Sequence, residues 1–281
     1  MQLKMSFKKE WLHFLRTFRF GGMMITIFSF VLVYPLLFKA IVALTQMMEG
    51  SHAAEVLGIT VEEMNTTIQL YSNSTFIFGG VLTELCATSL LIIMILMMSP
   101  FGGEQKKHAT VIPMCSGLEY KNYLTAKFVL YSAVLFVGNF LGGCAAGVVC
   151  NALFESSHVA VVDVVISALI SAIYSVFILC IYMALGLCTS RPGIMVIAMY
   201  VGQMIMQVFL PTFGLTKFNP FSLYFVVSQQ IYTEGFSFSD ETVSLAVGSV
   251  IALLICALMY VITVSVCKSK RINNQAKKPE F

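Results

Sequence analysis

Residues 160–188 read AVVDVVISALISAIYSVFILCIYMALGLC. A helix needs about 20 apolar residues to cross a hydrocarbon core roughly 30 Å thick, so this stretch can cross alone. At that depth no water is present to bond the backbone amides and carbonyls. Only a segment that satisfies them internally is stable there, which selects helix over an open strand. Working outward, three more stretches of the same character precede it, at 21–45, 76–99 and 127–150. Two follow it, at 193–213 and 243–267. The reading is an all-α polytopic membrane protein with six transmembrane helices.

Composition agrees with the stretches. Hydrophobic residues make up 58% of the chain and charged residues 11%, with mean hydropathy +0.86. A soluble domain carries roughly 25% charged residues, so this chain cannot cover a globule with polar surface. We read residues 1–281 as a single transmembrane domain, with 1–20 an interfacial helix and 268–281 a basic cytoplasmic tail. The first twenty residues are basic and amphipathic, and the apolar run after them is too long for an h-region, so no cleaved signal peptide is expected. The eight cysteines show no CxxC pair and no Cys/His cluster, and read as small apolar residues. His13, His52, His108 and His158 are scattered, so no metal site is expected.

Lys and Arg set the orientation. Lys4, Lys8, Lys9, Arg16 and Arg19 precede the first span. Lys106, Lys107, Lys121 and Lys127 lie between the second and third, Arg191 between the fourth and fifth, and Lys268, Lys270, Arg271, Lys277 and Lys278 in the tail. Six crossings put all of these on one side, expected to be the cytoplasm. The opposite connections hold Glu49, Glu55, Glu62, Glu63, Glu155, Glu234, Asp240 and Glu241, with only Lys217 against them. Membrane orientation accounts for the cations, so no nucleic-acid partner is expected. The expected location is a cell membrane of the bacterial plasma-membrane type, both termini cytoplasmic.

Three segments outside the spans carry pattern. Phe7, Trp11, Phe14, Leu15 and Phe18 recur at helical spacing, with Lys8, Lys9, Arg16 and Arg19 mainly on other faces. This describes a helix lying in the interface, with Gly21-Gly22 allowing a sharp turn into the first span. In the connection 99–127, Ser116-Gly117-Leu118-Glu119 is a capping-box pattern, predicting a helix from near Gly117 through residue 126. In 212–242, Phe213, Phe218, Phe221, Leu223, Tyr224 and Phe225 are too apolar for a solvated loop. Pro211, Gly214 and Asn219-Pro220 break the stretch into pieces too short to cross. Short re-entrant helices between spans five and six fit.

Within the spans, Lys39 and Glu84 are the two charges at depth. A structural ion pair, a substrate-facing polar site, and a snorkelling Lys39 with an independent Glu84 all remain open. Gly138, Gly142, Gly143 and Gly147 form two small-xxx-small patterns suited to close helix packing. Gln203 and Gln207 share one face of the fifth span; interhelical hydrogen bonding or lining of a translocation path would account for them.

The order of parts, with Glu104, Thr110 and Lys127 in the cytosolic connection and Asn219-Pro220-Phe221-Ser222 before the sixth span, resembles the permease subunit of ABC-2 class ABC transporters. Cys115-Ser116-Gly117 departs from the Pro and small residues that the family often has there. The resemblance implies coupling to a cytosolic ABC ATPase through Glu104, Thr110, Ser116, Glu119, Lys121 and Lys127. It also implies a second permease, identical or paralogous, and membrane lipid around both. ATP and Mg would belong to the partner ATPase, since this chain has no GxxxxGK[ST] phosphate loop and is expected to hold no cofactor and no catalytic residue of its own. The implied function is ATP-driven export of an amphipathic peptide, drug or lipid-like substrate by alternating access. The alternative is an ATPase-independent secondary transporter or channel, which favours interrupted spans at corresponding places in both halves. An intramembrane enzyme would need a second catalytic group beside Glu84, and none stands out.

Overall fold

The structure is a computed structural model that describes residues 2–48, 61–100, 119–154, 157–189, 191–215, 217–224 and 238–276. Eight helices follow in order among these: α1 (Gln2–Arg16), α2 (Arg19–Met48), α3 (Val61–Tyr71), α4 (Ser74–Leu96), α5 (Tyr120–Leu153), α6 (Val161–Thr189), α7 (Pro192–Thr212) and α8 (Phe238–Ala276). Six of them, all but α1 and α3, are long and apolar enough to cross a membrane. They match the six stretches read from the sequence, and no strand occurs among the described residues.

α6 is the centre of the bundle. In its most apolar window 72% of residues are buried, against 17% for α2, α7 and α8. α5 and α8 pack on it most extensively, with α7 and α4 completing the ring. α5 carries the opposite layer, taking α1, α2 and α4 on its other faces. Its glycines explain how one helix serves so many neighbours. Gly138 and Gly142 lie against Met24 and Ile27 of α2, while Gly143 and Gly147 lie against Ala168 and Val164 of α6. The two small-residue stripes therefore seat two different helices, α2 and α6. Without an apolar drive between helices in lipid, close contact of this kind is what favours association.

The ends opposite the termini are tied by side-chain amides. Asn73 caps α4 by accepting from the amides of Thr75 at 2.9 Å and Phe76 at 3.3 Å, so donors that no helical carbonyl reaches are satisfied. Asn151 near the end of α5 accepts from the Ser74 hydroxyl at 2.8 Å and the Val159 amide at 3.0 Å, and donates to the Val159 carbonyl at 2.9 Å. One residue thus fixes the α5–α6 connection against the start of α4.

Two local expectations change. The chain turns from α1 into α2 at Thr17 and Phe18, not at Gly21-Gly22, and Phe18 takes the left-handed conformation with φ 57°. The glycines lie inside α2, where a Cβ at Gly21 would stand 2.9 Å from the Phe18 ring and one at Gly22 3.2 Å from Leu96. They serve close approach instead of a bend. Second, the described helix at the mouth of the third span starts at Tyr120 and runs unbroken through Leu153. Glu119 is its N-cap but makes no side-chain cap bond. Its carboxylate instead accepts from Asn122, 3.2 Å away. A 34-residue helix is about 51 Å long, well beyond the roughly 30 Å hydrocarbon core, so the helix is longer than a span requires.

Candidate functional site

A polar seam runs through the middle of the bundle between α4, α5, α6 and α7. It begins with an irregularity. α4 is wound as a π-helix over Leu85–Ser89, directly after Glu84, and single π turns of this kind occur frequently at functional sites. The Cys86 carbonyl accepts a 2.8 Å bond from the Gln203 amide of α7. The Cys86 sulfur lies 2.9 Å from the Ser171 hydroxyl of α6, and Ser175 one turn further donates to the Ser171 carbonyl at 2.9 Å. Tyr174 lies against the same Gln203 amide and stacks on Tyr224 with ring centres 5.6 Å apart.

More polar groups line the seam than it pairs. The hydroxyls of Thr83, Ser89 and Ser167, both amide atoms of Asn139, the Gln203 carbonyl oxygen and the Gln207 amide nitrogen are buried without a hydrogen-bond partner among the described residues. Asn139 can be placed by its neighbours. Gly143, one turn away, meets Ala168 and Leu82, so Asn139 lies at the level of Ala172 and Cys86, the depth of the π turn. A buried amide or hydroxyl with no partner costs about 1–3 kcal/mol. Seven such atoms near the middle of a membrane bundle are a concentration of uncompensated polarity where the surroundings are otherwise apolar. The seam offers hydroxyl, thiol and amide groups to a solute. Among the described residues no three of His, Cys, Asp and Glu stand together as a metal site.

The span residues read from the sequence divide accordingly. Gln203 and Gln207 join the seam, Gln203 as an interhelical bond. Lys39 and Glu84 do not form an ion pair. Lys39 donates to the Leu153 carbonyl at 3.1 Å, where the negative end of the α5 dipole and its unpaired last carbonyls favour a cation. Glu84 accepts from Thr88 at 2.5 Å within its own helix. The π turn, Asn139, Ser167, Ser171 and Ser175 were not singled out from the sequence. Single small polar residues in apolar runs carry no periodic signal, and only the spacing Ser167, Ser171, Ser175 at four-residue intervals hinted at a polar face.

On the side of the termini, α1 packs across the mouth of α5. Its buried row is Ser6, Glu10 and Phe14, Phe14 fully enclosed with its ring 4.9 Å from that of Tyr131. The expected aromatic row is therefore split. Phe14 faces protein, Phe7 is half-buried, Trp11 is exposed beside Leu12 and Leu15, and Phe18 is exposed beyond the helix. Lys127 is also enclosed. It donates to the Pro100 carbonyl at 2.6 Å and lies 4.6 Å from the Tyr123 ring centre, which Lys9 of α1 approaches at 5.2 Å. Lys121 and Glu119 are exposed at the start of α5. Glu104, Thr110 and Ser116 lie outside the described residues.

Beyond α7 the chain turns back into the bundle. The Phe218 amide donates to the Ser244 hydroxyl at 3.3 Å, Leu223 covers Gly248, and the Phe221 ring lies 5.0 Å from Phe177 of α6. The described part of the expected re-entrant stretch therefore folds as turns that lead into a helical turn at 222–224, packed against α6 and α8.

Replacing Gln203 tests whether its bond to the Cys86 carbonyl holds α7 to α4. Gln203→Leu leaves the Cys86 carbonyl facing an apolar side chain. We expect a stability loss of about 1–3 kcal/mol, read as a lower melting temperature in detergent. Gln203→Glu should be worse still, since its carboxylate faces the same carbonyl. A Leu variant as stable as the parent would mean that the Cys86–Gln203 bond does not hold α4 to α7.

No family model, no curated protein and no solved structure matches the chain.

Proposed function

We propose that this protein is the membrane-spanning permease subunit of an ATP-driven exporter of the ABC-2 class. The reading is supported most by α1, an amphipathic helix seated across the start of a span longer than the hydrocarbon core is thick. Together they form one continuous platform on the side of the termini, bearing exposed Lys4, Lys8 and Lys121. The inward-packed turn between α7 and α8 fits the same family pattern. ATP hydrolysis would fall to a separate cytosolic ATPase docked on this platform, and Glu104, Thr110, Ser116, Glu119 and Lys121 would lie in the coupling region. Lys127, buried beneath it, would act by holding the chain just after α4 to α5. The termini and the platform would face the cytoplasm.

The test is co-purification from native membranes, followed by transport. Lys121→Glu should weaken ATPase association by about fivefold, the scale of one exposed charge pair, and lower transport while the protein still inserts. Unchanged association and transport in Lys121→Glu and in Glu104→Lys would overturn the reading.

One observation favours a second reading. The unpaired polar seam lies within a single bundle, between α4, α5, α6 and α7. An ATPase-independent transporter would use such a route without a partner. Solute flux into vesicles holding this chain alone would establish that reading; flux that requires the ATPase would exclude it.

A further inference from the structure

α7 and α8 each pack on α6, and an open groove of about 510 Å³ is lined by residues of α7, of α8 and of the turn between them. Met206 of α7 and Ile255 of α8 form its deep walls, and Leu215, Phe218 and Phe221 of the turn form its upper end. The depth of the groove can be measured along α8. Phe218 bonds Ser244 at the mouth, and Ile255 lies eleven residues further on, about 16 Å at the helical rise. One leaflet of the hydrocarbon core is about 15 Å deep. The groove is thus apolar over the depth of one leaflet, on the side opposite the termini.

Its mouth is not apolar. Lys217 lines it and is exposed, and it makes no hydrogen bond or ion pair with any described residue. Asn219 lines it too. The Asn219 side-chain oxygen Oδ1 accepts the Phe221 amide at 3.0 Å, which leaves the side-chain NH₂ as a donor for another group. A cation and an amide donor above a leaflet-deep apolar slot complement a molecule with an anionic head and an acyl tail.

We propose that this groove binds one anionic phospholipid of that leaflet, its phosphate at Lys217 and Asn219 and one acyl chain between Met206 and Ile255. A zwitterionic lipid presents the same phosphate, but its own ammonium competes with Lys217, so the site selects net negative charge. The site needs no ATPase, and its test is independent of the exporter reading.

The experiment is native mass spectrometry of the full chain, purified in mild detergent, with added 1-palmitoyl-2-oleoyl phosphatidylglycerol or phosphatidylcholine of the same chains. The parent should retain one phosphatidylglycerol in preference to phosphatidylcholine. Lys217→Gln should lower that retention by about fivefold, the effect of one cation at an anionic lipid surface, and Lys217→Arg should keep it. Ile255→Trp, which fills the slot, should lower retention of both lipids. Equal retention of the two lipids by the parent would overturn the proposal. So would retention unaffected by Lys217→Gln and Ile255→Trp, which describes lipid bound anywhere around the bundle. Displacement of the lipid by inorganic phosphate would also overturn it, since that assigns the site to the free anion. Because Lys217 is exposed and bonds no described residue, its variants should melt as the parent does.

Discussion

Gly143→Leu should leave little folded protein. A Cβ at this position would stand 2.7 Å from the Ala168 Cβ and 3.1 Å from the Ala168 Cα, a backbone atom that cannot swing aside. Even Gly143→Ala forces α5 and α6 apart at the centre of the bundle. Overpacking a tight interior costs about 1–3 kcal/mol and sometimes more, and a leucine adds three carbons beyond that Cβ. We expect Gly143→Ala to lower the melting temperature measurably and Gly143→Leu to elute as aggregate on size-exclusion chromatography. Gly202→Leu is the control. Nothing lies within 4 Å of a Cβ at Gly202, so the same side chain there should be tolerated. Equal behaviour of the two leucine variants would show that close contact of α5 and α6 is not what holds the bundle.

Lys127→Met should be the second costly change. The side chain is fully buried, bonds the Pro100 carbonyl at 2.6 Å and lies over the Tyr123 ring at 4.6 Å. A hydrogen bond from a charged group contributes about 1.5–3 kcal/mol, and a desolvated cation–π contact about 2 kcal/mol. Methionine keeps the length and loses both, so a destabilisation of about 3 kcal/mol is expected from these two interactions together. Thermal melting checks it. The same variant separates two roles. If Lys127 ties the chain just after α4 to α5, stability falls. If it contacts a partner, association falls while the melting temperature holds, and its enclosure argues against that second outcome.

The spans were legible because twenty or more apolar residues in a row have one stable solution in lipid. The small-residue stripes of α5 were legible for a related reason: glycine at four-residue intervals on a helix marks where another backbone comes close. Which helix comes close was not legible. Only the fold shows that Gly138 and Gly142 receive α2 while Gly143 and Gly147 receive α6. Charge in the spans was read for type and not for partner. Lys39 and Glu84 are the two charges within the spans, yet Lys39 reaches the end of α5, which no spacing in its own span could reveal. The aromatic row of α1 met the same limit. Its helical period was clear, but whether Phe14 or Trp11 meets protein depends on how far the helix rolls against Tyr131. The seam was least legible, because serine, cysteine and asparagine in apolar surroundings acquire meaning only once their neighbours are known.

The π turn in α4 carries a consequence for chain length. An i to i+5 turn holds one residue more than the α turn it replaces. Removing any one residue from Leu85–Ser89 would let α4 close into a regular α-helix, with Ser74–Glu84 and Leu90–Leu96 each keeping its own face toward the bundle. Relatives of this chain that are one residue shorter at this place would be the same protein with the swelling ironed out. In them the carbonyl that Gln203 now meets would return to the regular helical ladder. Gain or loss of a residue there and exchange of Gln203 for an apolar side chain should therefore occur together.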